Sequence, residues 1–307
     1  MREYNLYNES IKKRFLDSID LEKYPPNWWD RVFDKSYIFE ELYHRDLYDF
    51  STSNLLEFFK YLDFANINSL VVYKSNLIKY VEWAISENLV ADNQIHLNEL
   101  TMELLTGCIS KARVDNAIIS YDKLREMHFV NAQDAFVFWC LFEGIKGKDF
   151  EEIINLKIDD IDKKNHTVKL SDNRVITVSE YFISACENAW REDEYIALKG
   201  EKTIKLIQSL YIFKEKANSR GIDKRRSVYN TIVRNIQYFS ELANDVTSKS
   251  IRDSGLIYYL NKRADEYGMT VDELFYDMSK CGDIIDKYHF YIFTRKRWMM
   301  MYHDYLR

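Results

Sequence analysis

The chain has 307 residues, 47% of them hydrophobic and 30% charged, with a net charge of −6 and only 2 prolines and 8 glycines. That length exceeds one ordinary compact core and points to two domains; the apolar content excludes a disordered chain, and the acidic total excludes indiscriminate coating of nucleic acid. With its prolines adjacent at Pro25 and Pro26, the chain has long stretches without a helix breaker, so the expected fold class is mostly α.

The N-terminus, MREYNLYNESIKKRF, lacks the apolar core of a secretion signal, and no window approaches the roughly 18 uncharged apolar residues of a membrane span. A cytoplasmic protein with no membrane partner is therefore expected. Helical spacing runs through SYIFEELYHRDLYDF and TSNLLEFFKYLDFA, with Thr52 or Ser53 as an N-cap, and through a longer stretch from about Asn68 to Glu87. IHLNELTMELLTGCI reads as a further helix, and together these segments form a small helical bundle. SKARVDNA is polar and non-periodic, and the domain junction is placed there, dividing residues 1–112 from 113–307.

The second domain opens with ISYDKLREMHF and the apolar helix NAQDAFVFWCLFEG, which Asn131 can cap and Gly144 terminates. Asp149 to Leu156 reads as a short helix. HTVKL, SDN and RVITVS read as a β-hairpin turning at Asp172 and Asn173. SEYFISACENAWRE is helical, YIALKG and LYIFKE read as short strands, and the chain from SVYNTIVRNIQYFSELAND onward is helical.

Cys108, Cys140, Cys186 and Cys281 lack metal-ligand spacing and read as buried thiols, and the six histidines show no metal pattern. No metal and no cofactor is expected. From Glu201 to Arg252 there are eleven Lys and Arg, Arg220 among them, against five acids; this window is +6 in a chain of −6, so the remainder is −12. Both a solvated face and a polyanion-facing surface fit such a window. Three places within the second domain carry the cations of interest. Gly144 and Gly147 bracket Lys146 in a tight turn that can bring backbone and lysine close to a ligand. In TSKSIRDSG, Thr247 or Ser248 caps a helix whose first turn bears Lys249 and Arg252, a reasonable anion site. GIDKRRSVYN sets Lys224, Arg225 and Arg226 at a helix entry that can grip phosphates while the first turns reach base edges. Lys60, Lys74 and Lys79 are weaker candidates in the first domain.

From about residue 36 to the end, the order of elements resembles the tyrosine recombinases, the phage integrase family: a helical bundle ending in YVEWAISENLVADN, a linker, a helix, a glycine turn, EIINLKIDDID and a hairpin. Glu152, Leu156, Asp160 and Ile161 fall as in that family's glycine-leucine-arginine motif and the acidic segment after it. The resemblance implies an N-terminal core-binding domain and a C-terminal catalytic-type domain with a small β-hairpin or sheet, closing as a clamp on duplex DNA. It also implies a site where a tyrosine attacks a phosphodiester, two arginines stabilise the phosphorane, and a lysine and a histidine handle protons.

Carried over, the first arginine is missing: Lys146 takes its place if the glycine turn is the landmark, Asp149 if the count runs back from Glu152. KSIR matches the histidine-x-leucine-arginine motif, with Lys249 for the histidine and Arg252 for the arginine. Lys169 is the candidate for the hairpin lysine, although KLSDNRV lacks the family's glycine-lysine turn. Tyr288 lies closest to the nucleophile by spacing, with Tyr291, Tyr302 and Tyr305 as rivals. Removing one preorganised donor costs roughly a hundred- to a thousandfold in rate, so these residues count as vestigial rather than catalytic. What remains implied is a double-stranded DNA-binding protein, with Lys146, Lys224, Arg225, Arg226, Lys249 and Arg252 as contacts, similar to the recombinase-like lysogeny repressors of SPβ-type phages. An active recombinase is the alternative, and a helical protein-interaction module is the third reading. A C-terminal helix docked on a neighbouring subunit, as the family often has, would make a homo-oligomer.

Overall fold

The computed structural model describes residues 6–19, 26–90, 95–198, 202–219, 221, 223–239, 242 and 244–307; Pro25, Glu201 and Arg220, named above, lie outside them. The chain divides into two compact units, Met1–Arg113 and Val114–Arg307. The first unit contains α1 (Glu9–Ser18), α2 (Pro26–Tyr43), α3 (Thr52–Tyr61), α4 (Ile67–Ser86) and α5 (Met102–Thr106). α6 (Lys111–Ala117) follows, so the junction is helical where a loop was expected. Its helix rests on a single buried pair one turn apart, Val114 and Ala117, too short a signal to register as a period.

α3 is capped by Ser51 rather than by Thr52 or Ser53: the Ser51 hydroxyl and the Asn54 side chain each satisfy the other residue's backbone N–H. The core of this unit is aromatic. Phe15 meets Trp29, Tyr80 and Trp83 edge-on, with ring centroids 4.7, 4.8 and 5.4 Å apart. α1 also carries a buried cation, because Lys12 Nζ reaches Glu40 at 2.7 Å and Asp46 at 3.3 Å.

The second unit contains α7 (Tyr121–Glu126), α8 (Ala132–Phe142), α9 (Glu151–Asn155), β1 (Ile161–Asp162), β2 (Thr167–Lys169), β3 (Val175–Thr177), α10 (Glu180–Arg191), β4 (Glu194–Ile196), β5 (Thr203–Lys205), α11 (Lys224–Tyr238), α12 (Ser248–Tyr267), α13 (Val271–Tyr276), α14 (Met278–Lys287) and α15 (Arg295–Tyr302). α8 is apolar on every side, with Phe136 to Phe142 all buried, because α10, α11 and α12 pack around it. Its cap is not the Asn131 side chain, which bonds Ile196 instead; the Glu192 carboxylate accepts from the N–H groups of Ala132 and Gln133 at 2.7 and 2.9 Å.

The expected hairpin is present as β2 and β3, and β1 adds a third antiparallel strand with Ile161 opposite Val168. LYIFKE is not a strand. Ile212, Phe213 and Lys214 are buried in succession and the stretch makes only an isolated bridge, Tyr211 with Lys157, rather than a ladder; β4 pairs with β5. The aromatic C-terminus packs within its own unit: Trp298 and Tyr302 are buried, and the Arg307 carbonyl accepts from Val271 N at 2.8 Å. Among the described residues, no helix is long and apolar enough to cross a membrane.

Candidate nucleic-acid interface

The turn after α8 is built from backbone that most residues avoid. Gly144 and Gly147 have φ of 82° and 65°, and Asp149 and Phe150, neither of them glycine, also lie in the left-handed region at 52° and 67°. Each of the latter two costs about 1 kcal/mol or more, a strain that persists only where surrounding contacts fix it. A Cβ at Gly147 would come within 2.8 Å of the Glu151 and Glu152 side chains, so glycine is required there by space as well as by angle. Glu152 fixes the loop from the other end: its carboxylate accepts from Lys146 N at 2.8 Å. The product of this folding is a half-buried Lys146 whose ammonium lies 5.5 Å from the Phe150 ring centroid.

α12 delivers the other two cations. Thr247 and Ser250 form a reciprocal cap, which sets Lys249 and Arg252 on the first turn. Burial pushes the Lys146 ammonium below the ordinary lysine value, the charges of Arg252 and Lys249 push it further, and Asp149 opposes them. Lys249 is paired with Asp253. Lys146 and Arg252 have no ion pair among the described residues, and the Arg252 Nε is buried without a hydrogen-bond partner. Lys146 is thus half-buried in the field of two further cations, with Asp149 as a partial counter-charge, an arrangement that a bound anion would relieve.

Tyr288 does not stand as an available nucleophile. It is 1% exposed, its hydroxyl donates to the Phe142 carbonyl, and burial, with Glu143 adding, raises its pKa well above that of an ordinary tyrosine. The position is enclosed because α12 passes α8 at Gly255, where a Cβ would come within 1.8 Å of the Phe142 carbonyl oxygen and 2.5 Å of the Tyr288 hydroxyl. Of the rivals, Tyr302 is buried and donates to Asp253 at 2.7 Å, Tyr305 donates to Asp115, and Tyr291 is 72% exposed.

Lys169 is exposed on β2 and lines a separate cavity of about 340 Å³ with Lys157, Asp160 and Tyr211, which contains neither Lys146 nor Arg252. Lys224 is held by Glu215 at 3.4 Å and lies over the Tyr211 ring. Arg225 reaches Asp149 at 3.6 Å, which ties the start of α11 to the strained loop, and Arg226 is exposed, with no ion pair among the described residues. In the first unit, Lys74 donates to the Leu100 carbonyl at 3.0 Å and so acts within the bundle.

Sequence reasoning missed Arg174. From the end of the hairpin turn its guanidinium binds Glu152 and Asp172 and donates to the Asp286 carbonyl at 2.9 Å, so it steadies the carboxylate that holds Lys146. Glu152, Asp172 and His289 each bring a ligand atom within 4.8 Å of the others, but Arg174 already pairs with both carboxylates, and the donors suit an ion-pair network better than a metal. Also missed was a buried pair in the same unit, Lys287 with Glu143, to which Tyr259 donates at 2.7 Å. A larger cavity of about 1050 Å³ runs along β3, α12 and α14 past Lys287, and it includes none of Lys146, Lys249 and Arg252.

Two family models match the chain: one described as MrpR, C-terminal catalytic domain, over residues 118–302, and one described as MrpR, N-terminal core-binding domain, over residues 6–86. Over 321 residues the chain is 26% identical to the SPbeta prophage-derived uncharacterized protein YopR of Bacillus subtilis (strain 168), covering 98% of this chain and 94% of that protein.

Proposed function

We propose, from the premise that the chain belongs to the MrpR family and has its core-binding and tyrosine-recombinase-like catalytic-type domains, that it is a sequence-specific double-stranded DNA-binding protein without strand-transfer activity. Its role on this reading is that of a phage transcriptional repressor, acting in the host cytoplasm and maintaining lysogeny by occupying operator sites. The observation that supports it is the half-buried Lys146 in the field of Arg252 and Lys249, together with an Arg252 Nε that is buried without a hydrogen-bond partner among the described residues. A phosphate is a ligand that a guanidinium and an ammonium can recognise together.

Binding without cutting follows from the same residues. No arginine stands at either candidate place for the family's first one: Lys146 is a movable point charge, and Asp149 is a carboxylate that repels a phosphorane. The Tyr288 hydroxyl is engaged by a carbonyl in the core. Affinity for phosphate survives such replacements better than catalysis does, because it depends on charge more than on the fixed planar fork.

A second reading, an active recombinase, is favoured by one contact: Tyr302 donates to Asp253, next in sequence to Arg252 and itself paired with Lys249. One experiment separates the two. Duplex binding is measured for the full chain and for Arg252→Ala, and a nicked duplex carrying the selected site is tested for a covalent protein adduct. The repressor reading expects salt-sensitive binding that Arg252→Ala weakens about tenfold or more, with no adduct. An adduct that disappears in Tyr302→Phe establishes the recombinase, and binding that is undetectable at low salt ends both.

A further inference from the structure

We infer that the free edge of β3 is a docking site for an extended segment of a different protein, which adds as a fourth strand beside Val175–Thr177 and sets an acidic side chain against Lys262. The inference goes beyond the duplex-binding reading above and does not depend on it. In the ladder with β2, Arg174 and Val178 face inward: the Arg174 carbonyl accepts from Leu170 N at 2.8 Å, and Val178 N donates to the His166 carbonyl at 2.9 Å. With Ile176 opposite Val168, the alternation of an antiparallel pair turns the N–H and C=O groups of Val175 and Thr177 outward. One of these four groups is taken, because Lys287 Nζ donates to the Thr177 carbonyl at 2.8 Å. The Val175 N–H, the Val175 carbonyl and the Thr177 N–H have no hydrogen-bond partner among the described residues, and both side chains are exposed.

This edge lines the cavity of about 1050 Å³, together with Tyr258 and Tyr259 from α12 and Ile284 and Ile285 from α14. A helix satisfies its own backbone and would leave the three groups unpaired; an extended chain pairs them and turns every second side chain toward the apolar lining. From Arg174 to Val178 the edge runs about 17 Å, the length of five residues of strand. Charge narrows the segment further. Arg174, Arg263 and Lys287 line the same cavity and are paired with Glu152, Asp283 and Glu143. Lys262 is exposed there with no ion pair among the described residues. Burial pushes the Lys287 ammonium below its ordinary value against the pull of Glu143, and Lys262 adds to the depression, so Lys262 stands near the anchored end of β3. Of the lining carboxylates, Glu266 and Asp283 are held by Arg263, Glu180 sits in the favourable first turn of α10, and the Arg174 guanidinium donates to the Asp286 carbonyl. The C-terminal segment of a second copy is not free to fill the edge, since Trp298 and Tyr302 are buried and the Arg307 carbonyl accepts from Val271 N within their own unit.

The probe is a displayed library of short random peptides selected on the full chain, followed by synthesis of the peptides recovered. These should share apolar residues at alternate positions with an acidic residue among them. Bound peptide should slow hydrogen exchange at the Val175 and Thr177 amides roughly tenfold or more, with Ile176, already in the ladder, little changed. Thr177→Pro removes an outward N–H at an edge that tolerates proline, and should weaken peptide binding about tenfold. Lys262→Glu reverses an exposed charge and should weaken it several-fold, with the melting temperature of both variants retained. If no peptide is enriched, or if peptides bind without slowing exchange at Val175 and Thr177, the inference fails. Slowing that grows with protein concentration in the absence of peptide makes a second copy the occupant and overturns it equally. None of these outcomes alters duplex binding, which is measured without peptide.

Discussion

Asp149 is the residue at which charge and backbone conflict most plainly. It sits in the left-handed region at φ 52°, its carboxylate opposes the depression of the Lys146 pKa, and it engages Arg225 at 3.6 Å. A carboxylate in a phosphate seat reduces the field that draws the anion and occupies a cation meant for it. Asp149→Asn keeps the side-chain shape, and asparagine tolerates the left-handed conformation as well as aspartate does, so the loop is retained. Duplex affinity at low salt is therefore expected to rise, by several-fold, with melting temperature nearly unchanged. Fluorescence anisotropy on one duplex, wild type against variant, decides it; a fall in affinity would mean that Asp149 contributes to binding rather than limiting it.

At the scale of elements, α1 is joined to α2 by a buried charge cluster with an odd number of ions. Lys12 faces two carboxylates, Glu40 and Asp46; Ser36 also donates to Glu40 at 3.0 Å, and Tyr80 and Asn8 donate to Asp46 at 2.8 and 3.1 Å. Burial pushes Glu40 up from 4.5 to about 7, with Lys12 opposing and Asp46 adding to the rise. The folded chain therefore holds a proton between these two values when the unfolded chain has already released it. That proton's contribution to stability is full below about 4.5 and is lost as pH rises through about 7, an effect on the order of a few kcal/mol. Glu40→Gln removes the titration and leaves Asp46 to pair with Lys12. Thermal melts at pH 5, 6, 7 and 8 should show wild type losing stability across that range relative to the variant; parallel curves would place the Glu40 proton elsewhere.

Over the whole molecule, what was legible in the sequence was local. The cap TSKS, the glycine turn around Lys146 and the SDN hairpin each declare themselves within a few residues, and each is present. The partnerships that finish the site span far greater separations: Arg174 with Glu152 across 22 positions, Tyr302 with Asp253 across 49, Lys287 with Glu143 across 144. No period or spacing rule connects such residues, and Tyr288 looked eligible by spacing because the carbonyl that engages it is equally remote, 146 positions away.

Charge distribution over the molecule supplies a last expectation. If the chain, with net charge −6, meets DNA through its cations as proposed above, each lost phosphate contact should be visible in the salt dependence. If Lys146, Lys249, Arg252, Arg225 and Arg234 take about five phosphates, log affinity falls against log salt with a slope near −4 to −5. Lys146→Ala with Arg252→Ala should flatten that slope by about 2, since two counterions fewer are released. Titrations between 50 and 200 mM salt measure both chains on one duplex. An unaltered slope in the double variant would show that phosphate is held elsewhere and that the convergence of Lys146 and Arg252 serves some other anion.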